Sequence, residues 1–235
     1  MTPEDDADAL PSDMPSRQVL SDSVYEAVKE RIMNLTIPPD ARINMDELAR
    51  ALRVSNTPLR EALSRLEIEG LVTRKQLYGY RTTGLLGERE VRELYSVRLL
   101  LEPAAARETA AHADPHFLNV AIGEALSQMT ELAQLPALDR DYHTYRAFAE
   151  ADARFHQAIA SASGNRLLAN MLAGLHSHAH AYRLYFRAGM APETVKEHQR
   201  VLDALLDQNP DTAARAMQAH LEASRHRFLS VVKDE

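Results

Sequence analysis

Ten histidines and no cysteine set the terms on which this 235-residue chain can hold an ion or move a proton. Without thiolates there is neither a disulfide nor a sulfur-ligated metal, so any ion must be held by nitrogen and oxygen. Asp152 and His156 stand four residues apart, a spacing that puts both on one face of a helix and within reach of a single ion. His198 and His220 follow on later segments. One carboxylate and three imidazoles, brought together from three helices, suit Zn²⁺, Ni²⁺ or Mn²⁺. Ten histidines in a helical chain also produce such spacings as core or surface residues that hold nothing, and on pattern alone both readings stand. His176, His178 and His180 fit exposed or interhelical places, and His112, His116, His143 and His226 carry no signal. Neither an H-E-x-x-H run nor a nucleophile elbow is present.

A second chemistry, that of phosphate and base edges, is suggested by residues 54–70. Thr57 suits a helix cap and Pro58 a first helical turn. Leu59, Leu63, Leu66 and Ile68 approximate an apolar stripe, while Arg60 and Arg65 point elsewhere and Gly70 ends the run. A short amphipathic helix with cations on its exposed side is what the second helix of a helix-turn-helix needs to lie in the major groove.

The elements that must carry these residues can be drawn from composition and periodicity. At 45% hydrophobic residues the chain can bury one large core or two modest ones. No apolar run approaches the ~20 residues of a membrane span and no export signal opens the chain, so a soluble protein in a cytoplasmic setting is expected. The net charge of −7 is uneven: residues 1–16 hold five acids and no Lys or Arg, whereas residues 17–83 hold eleven basic and nine acidic residues. Only that middle stretch is positive, which allows local contact with phosphates.

Residues 1–16, with three prolines and no apolar period, read as a disordered acidic arm. A helix is expected from Ser21 or Asp22 through Leu35, with Val24, Val28, Ile32 and Leu35 on one face. Pro38-Pro39-Asp40 stops it, and Asn44-Met45-Asp46-Glu47 opens a short helix, 46–52, with Leu48 and Leu52 inward. Arg53-Val54-Ser55-Asn56 turns into the cationic helix. Strands at 71–74 and 80–83 flank a bend at Gly79, so residues 17–83 form a winged helix-turn-helix. Residues 84–87, glycine at both ends, read as a hinge. Residues 88–235 are expected to be an antiparallel bundle of about six helices, near 88–112, 115–134, 139–162, 165–187, 192–208 and 211–232. The fold class is therefore mainly α.

Two motif sets resemble one known family. Ser55-Asn56-Thr57-Pro58-Leu59-Arg60-Glu61-Ala62-Leu63, with Leu66, Glu69-Gly70-Leu71-Val72 and Gly79, is similar to the GntR family of bacterial transcription regulators. Asp152-Ala153-Arg154-Phe155-His156, with Ser163-Gly164-Asn165, Glu197-His198 and His220-Leu221, resembles the FCD ligand-binding domain of its FadR subfamily. The resemblance implies DNA contacts for Arg60 on the recognition helix, with Ser55, Asn56 and Thr57 beside it, and for Gly79 at the wing tip. Asn56 stands where the family usually has Arg, and Arg53 where Gly is usual. The base read by Asn56 is then expected to differ, or the contact to pass to Arg53 or Arg65. It also implies a metal on Asp152, His156, His198 and His220. Arg98 corresponds to an arginine near the ligand cavity, where it would pair with an effector carboxylate or with a nearby glutamate. Asn165 joins it as an effector-binding candidate or serves as a helix cap.

The function so implied is a non-enzymatic homodimer on palindromic operator DNA whose affinity responds to a small organic-acid effector near the metal. Two alternatives stand beside it: a metal-dependent hydrolase or lyase with an appended DNA-binding domain, and a regulator whose ion is purely structural.

Overall fold

Helix α1 (Arg17–Met33) follows from Val24, Val28 and Ile32, which recur at every fourth position and are all buried. The structure, a computed structural model, describes residues 17–135, 142–177 and 191–233. The expected arm at 1–16, together with His178 and His180, lies outside them. The helix begins before Ser21 and ends before Leu35, which takes a left-handed conformation (φ +63°) and is exposed. The Ile37 N–H turns back to the Arg31 carbonyl at 2.8 Å, so Ile37 and not Leu35 packs on the core.

Strand β1 (Arg42–Ile43) leads into α2 (Met45–Leu52). Asn44 Oδ1 caps α2 by accepting from the Asp46 and Glu47 N–H groups, which starts the helix one residue earlier than expected. Helix α3 (Asn56–Ile68) has Ser55 at its cap position without a side-chain bond, and Thr57, the expected cap, lies inside the first turn. Leu59, Ala62, Leu63 and Leu66 are fully buried, each leucine contributing about 1.5–3 kcal/mol. Ile68 is 75% exposed. It follows Leu66 by two residues, about 200° around a helix, and so falls on the far side. Gly70 (φ +73°) closes α3, with its N–H on the Glu67 carbonyl and that of Leu71 on Leu66.

Strands β2 (Val72–Lys75) and β3 (Gly79–Thr82) form the hairpin, and β1 adds to it in the order β1-β3-β2, all antiparallel, with Ile43 opposite Tyr80 and Val72 opposite Thr82. At two residues, β1 is too short to announce itself by alternation. Thr82 Oγ1 donates to the Pro38 carbonyl (2.6 Å) and accepts from the Ala41 N–H (2.9 Å), which ties the hairpin root to the loop after α1.

The second region holds α4 (Glu88–His112), α5 (Pro115–Phe117), which runs through a π-helical stretch (Leu118–Gly123) into α6 (Glu124–Ala133), then α7 (Tyr142–Ala162), α8 (Arg166–Gly174), α9 (Ala191–Leu206) and α10 (Pro210–Lys233). Helix α4 lies along α10, where the Tyr95 hydroxyl meets Ser224 Oγ at 2.6 Å and the Tyr95 ring lies 5.4 Å from that of Phe228. The expected helix at 165–187 ends early: α8 stops at Gly174 and His176 is left-handed (φ +48°), while residues 178–190 lie outside the description. No described helix is long and apolar enough to cross a membrane.

Several contacts among the described residues join the regions beyond the link at 83–87, His143 Nε2 lying 3.8 Å from Glu30 Oε1. Arg146 of α7 pairs with Glu26 of α1 (2.6 Å) as well as with Glu150 (2.7 Å). The His176 ring packs against Gly70 so closely that a Cβ there would lie 3.1 Å from it.

Candidate functional site

Helix α7 presents Asp152 and His156, α9 presents His198 and α10 presents His220, so the sequence-predicted quartet converges. One ring nitrogen from each histidine lies within 4.8 Å of the other two. His198 Nε2 is 3.2 Å from His220 Nε2, and Asp152 Oδ1 is 3.6 Å from His198 Nε2 and 3.9 Å from His156 Nε2. All three rings are buried. The His198 ring is stacked on Phe155, with centroids 4.2 Å apart and planes 10° from parallel.

The outward nitrogens of His156 and His220 are fixed by carboxylates. His156 Nδ1 donates to Glu102 Oε2 (2.6 Å) and His220 Nδ1 to Glu197 Oε2 (2.9 Å), which leaves each Nε2 with its lone pair turned to the centre. Glu102 is held in turn by the Nε of Arg98 (2.6 Å), and Glu197 by a two-point bond from Arg227 (2.6 and 2.7 Å). Burial alone would raise both carboxyls, but Arg98 and His156 hold Glu102 well below the usual range, and Arg227 and His220 do the same for Glu197. Burial pushes the His220 imidazole down, against the pull of Glu197. His156 and His220, each with Nδ1 committed to a glutamate, face a common centre with His198 and the Asp152 carboxylate alongside, a donor set that a divalent transition metal fits.

Glu102, Glu197 and Arg227 were given no role by the sequence, although Glu197 stands in the Glu197-His198 motif. Glu102 follows Arg98 by four residues and so shares its helix face, and that spacing is the signal that was available. Arg98 is buried, occupied with Glu102, and 5.0 Å from the Tyr95 ring centre, so the glutamate partner expected for it is present. Asn165 accepts through Oδ1 from the Leu168 N–H and caps α8. A cleft of about 380 Å³ opens beside His156 and Glu102, walled by α7, α8 and His176 and reaching Glu69 at the end of α3.

In the first region, Asn56, Thr57, Arg60, Ser64 and Arg65 are exposed on one face of α3 and line an open depression of about 700 Å³. Arg60 forms no ion pair among the described residues, whereas Arg65 pairs with Asp22 (2.5 Å) and lies 3.9 Å over the Tyr25 ring. Arg53 is the left-handed cap of α2 (φ +56°), a conformation that glycine adopts without the roughly 1–2 kcal/mol steric cost. Gly79 (φ +78°) meets nothing within 4 Å, so its backbone and not its size is what the wing requires. Arg42, Lys75 and Arg81 gather beside it.

A winged helix-turn-helix with an exposed recognition face, followed by a helical domain, defines a DNA-binding regulator, and the comparisons agree. Residues 20–82 match the bacterial regulatory proteins of the gntR family, and residues 93–223 match the FCD domain. The chain belongs to the gntR family of bacterial regulatory proteins, as a transcriptional regulator with an FCD domain. It is 28% identical over 218 residues to the HTH-type transcriptional regulator YdhC of Bacillus subtilis (strain 168), covering 89% of this chain and 91% of that one. It is 26% identical over 203 residues to the HTH-type transcriptional repressor GlaR of Escherichia coli (strain K12), covering 84% and 90%. The fold is shared with a GntR transcriptional regulator from Rhodococcus sp. RHA1 (TM-score 0.66, 21% identity, covering 89% and 97%). E. coli McbR/YncC shares it too (TM-score 0.66, 20% identity, covering 92% and 99%).

Proposed function

We propose that the chain acts in the cytoplasm as a homodimer on a palindromic operator, and that a small organic acid, bound beside a divalent transition metal in the FCD domain, changes its grip on DNA. The observation that carries this reading is the convergence of His156, His198 and His220 with Asp152 behind a head whose recognition face is open. Those four residues would hold the ion, Zn²⁺ before Ni²⁺ or Mn²⁺, and it would supply a Lewis-acid contact for an oxygen of the acid.

Charge argues for an anionic effector. Arg98 balances Glu102 and Arg227 balances Glu197, and among the described residues Asp152 is the carboxylate that lies beside the histidine nitrogens to face a divalent ion. A filled centre is then net positive in a poorly screened interior, and an acid is drawn to it. Arg98 keeps guanidinium N–H groups beyond the Nε that serves Glu102, and Asn165 keeps its amide N–H groups while its oxygen caps α8. On DNA, Ser55, Asn56, Thr57 and Arg60 would face the major groove with Arg53 beside them, and the Gly79 wing the minor groove. Arg65 would reach a phosphate by leaving Asp22. Helix α7 offers the mechanical route, since it carries Asp152 and His156 and is paired to α1 through Arg146. An acid biases the head only if it binds two head arrangements unequally.

The test is an operator-shift titration of metal-loaded protein with sugar acids, hydroxy acids, dicarboxylates and fatty-acid derivatives. One class is expected to change operator affinity about fivefold or more, and His220→Ala to abolish the response. Indifference to all four classes would overturn the sensing half.

A second reading, a purely structural ion, is favoured by how closed the triad is, with His198 at 0% exposure. Chelation separates the two: a large fall in melting temperature supports the structural ion, and an unchanged one supports the sensor.

A further inference from the structure

Across the turn between α2 and α3, Asn56 Nδ2 donates to Asp46 Oδ1 at 3.1 Å, both residues exposed at helix starts. Asp46 is itself fixed, because its backbone N–H is held by the Asn44 cap and its carboxylate sits in the first turn of α2, where the helix dipole favours negative charge. A carboxylate can only accept, so Asp46 selects one of the two flips of the Asn56 amide, the one that turns nitrogen towards it. One N–H is thereby used. The remaining N–H and Oδ1 form a donor and an acceptor side by side. Adenine offers the complement in the major groove, N7 to accept and N6–H₂ to donate, whereas guanine offers two acceptors and would set O6 against Oδ1.

We infer that Asp46 is a positioning residue for base selection: it orients Asn56 to read an adenine in each half-site, where an arginine at position 56 would read guanine. This rests on the recognition face meeting the major groove as proposed above.

The test is selection of bound duplexes from a randomised pool by the full-length protein, followed by affinity measurement on single-base variants of the selected site. The wild type is expected to prefer adenine over guanine at one position of each half-site by about tenfold or more. Asp46→Ala, exposed and therefore able to fold with unchanged helicity, is expected to cut that preference to about threefold or less, the ratio of adenine to guanine duplexes being read so that a general change in phosphate attraction cancels. Asn56→Arg is expected to move the preference to guanine. If Asp46→Ala keeps the wild-type preference while Asn56→Arg shifts it, the Asp46 proposal is overturned and the recognition face stands. If Asn56→Arg changes no base, the placement of α3 is wrong and the proposal falls with it.

Discussion

The FCD domain and the winged head both use arginine against carboxylate, and the two pairs do opposite work. Arg98 and Glu102 have side chains 5% and 6% exposed and end on His156, whereas Arg65 and Asp22 are 43% and 50% exposed, with Arg65 lying over the Tyr25 ring. In the interior the pair is compulsory, because either charge alone would be stranded, and its rigidity passes to the histidine ring. At the surface, water and salt screen both charges, so the same chemistry contributes little and stays available for another partner. The histidine cluster is thus built from groups that cannot move separately, and the exposed face of α3 from groups that can.

The sharpest way to break this contrast is Glu102→Ala, which leaves Arg98 buried without its carboxylate. It is expected to lower stability by about 3–5 kcal/mol in urea unfolding, and loss of under 1 kcal/mol would show the pair to be solvated. The milder Glu102→Gln keeps the shape while loosening His156, and metal affinity measured by competition with a chelating dye should fall about 10–100-fold. On the head, Arg60→Ala should cost about 1–3 kcal/mol of operator binding with no change in melting temperature. Retained sequence-specific binding would remove Arg60 from the interface. Arg53→Gly relieves a left-handed arginine and is expected to stabilise by about 1 kcal/mol. The smallest effect belongs to the exposed pair, where a double-mutant cycle on Arg65 and Asp22 should return less than about 1 kcal/mol, shrinking as salt is added.

Alkaline pH probes a junction between these extremes, where Tyr25, Lys29 and Glu69 join α1 to the end of α3. Burial pushes the Tyr25 hydroxyl up to about 12, with help from Glu69. Burial alone would lower Lys29, but its bonds to Glu69 and Tyr25 carry it to about 12. Both values lie above those of the unfolded chain, 10.0 and 10.5, so the stability they confer is complete below pH 10 and disappears as pH rises towards 12. Stability titrated over that range should show the loss, and Lys29→Met should reduce it.

How far the sequence could be read follows the same division. Asp152 and His156 were legible as a pair from their spacing of four, and the whole set with His198 and His220 only through the resemblance to the FCD domain, because ten histidines left the pattern open on its own. Glu102 and Glu197 were not, since a glutamate that orients a histidine looks like any helical glutamate until the helices are packed. Repeating apolar residues gave α1, α3 and the bundle, yet misplaced Leu35 and Ile68: periodicity does not register the left-handed residue that stops a helix or the 200° step that turns a side chain outward. The shortening of α8 has the same origin in His176. Arg53 shows the limit from the other side, a residue that breaks a local backbone preference and is tolerated by its surroundings.

The His176 ring resting on Gly70 has a consequence for steering. The FCD domain touches α3 at its rear end, opposite the end proposed to enter the groove, and a small tilt applied there would swing the far tip through a larger arc. Bare glycine is what lets the imidazole lie flush. A Cβ at position 70 would stand 3.1 Å from the ring, on a backbone whose φ of +73° already disfavours any side chain, so the contact is lost before the helix end can be pushed from behind.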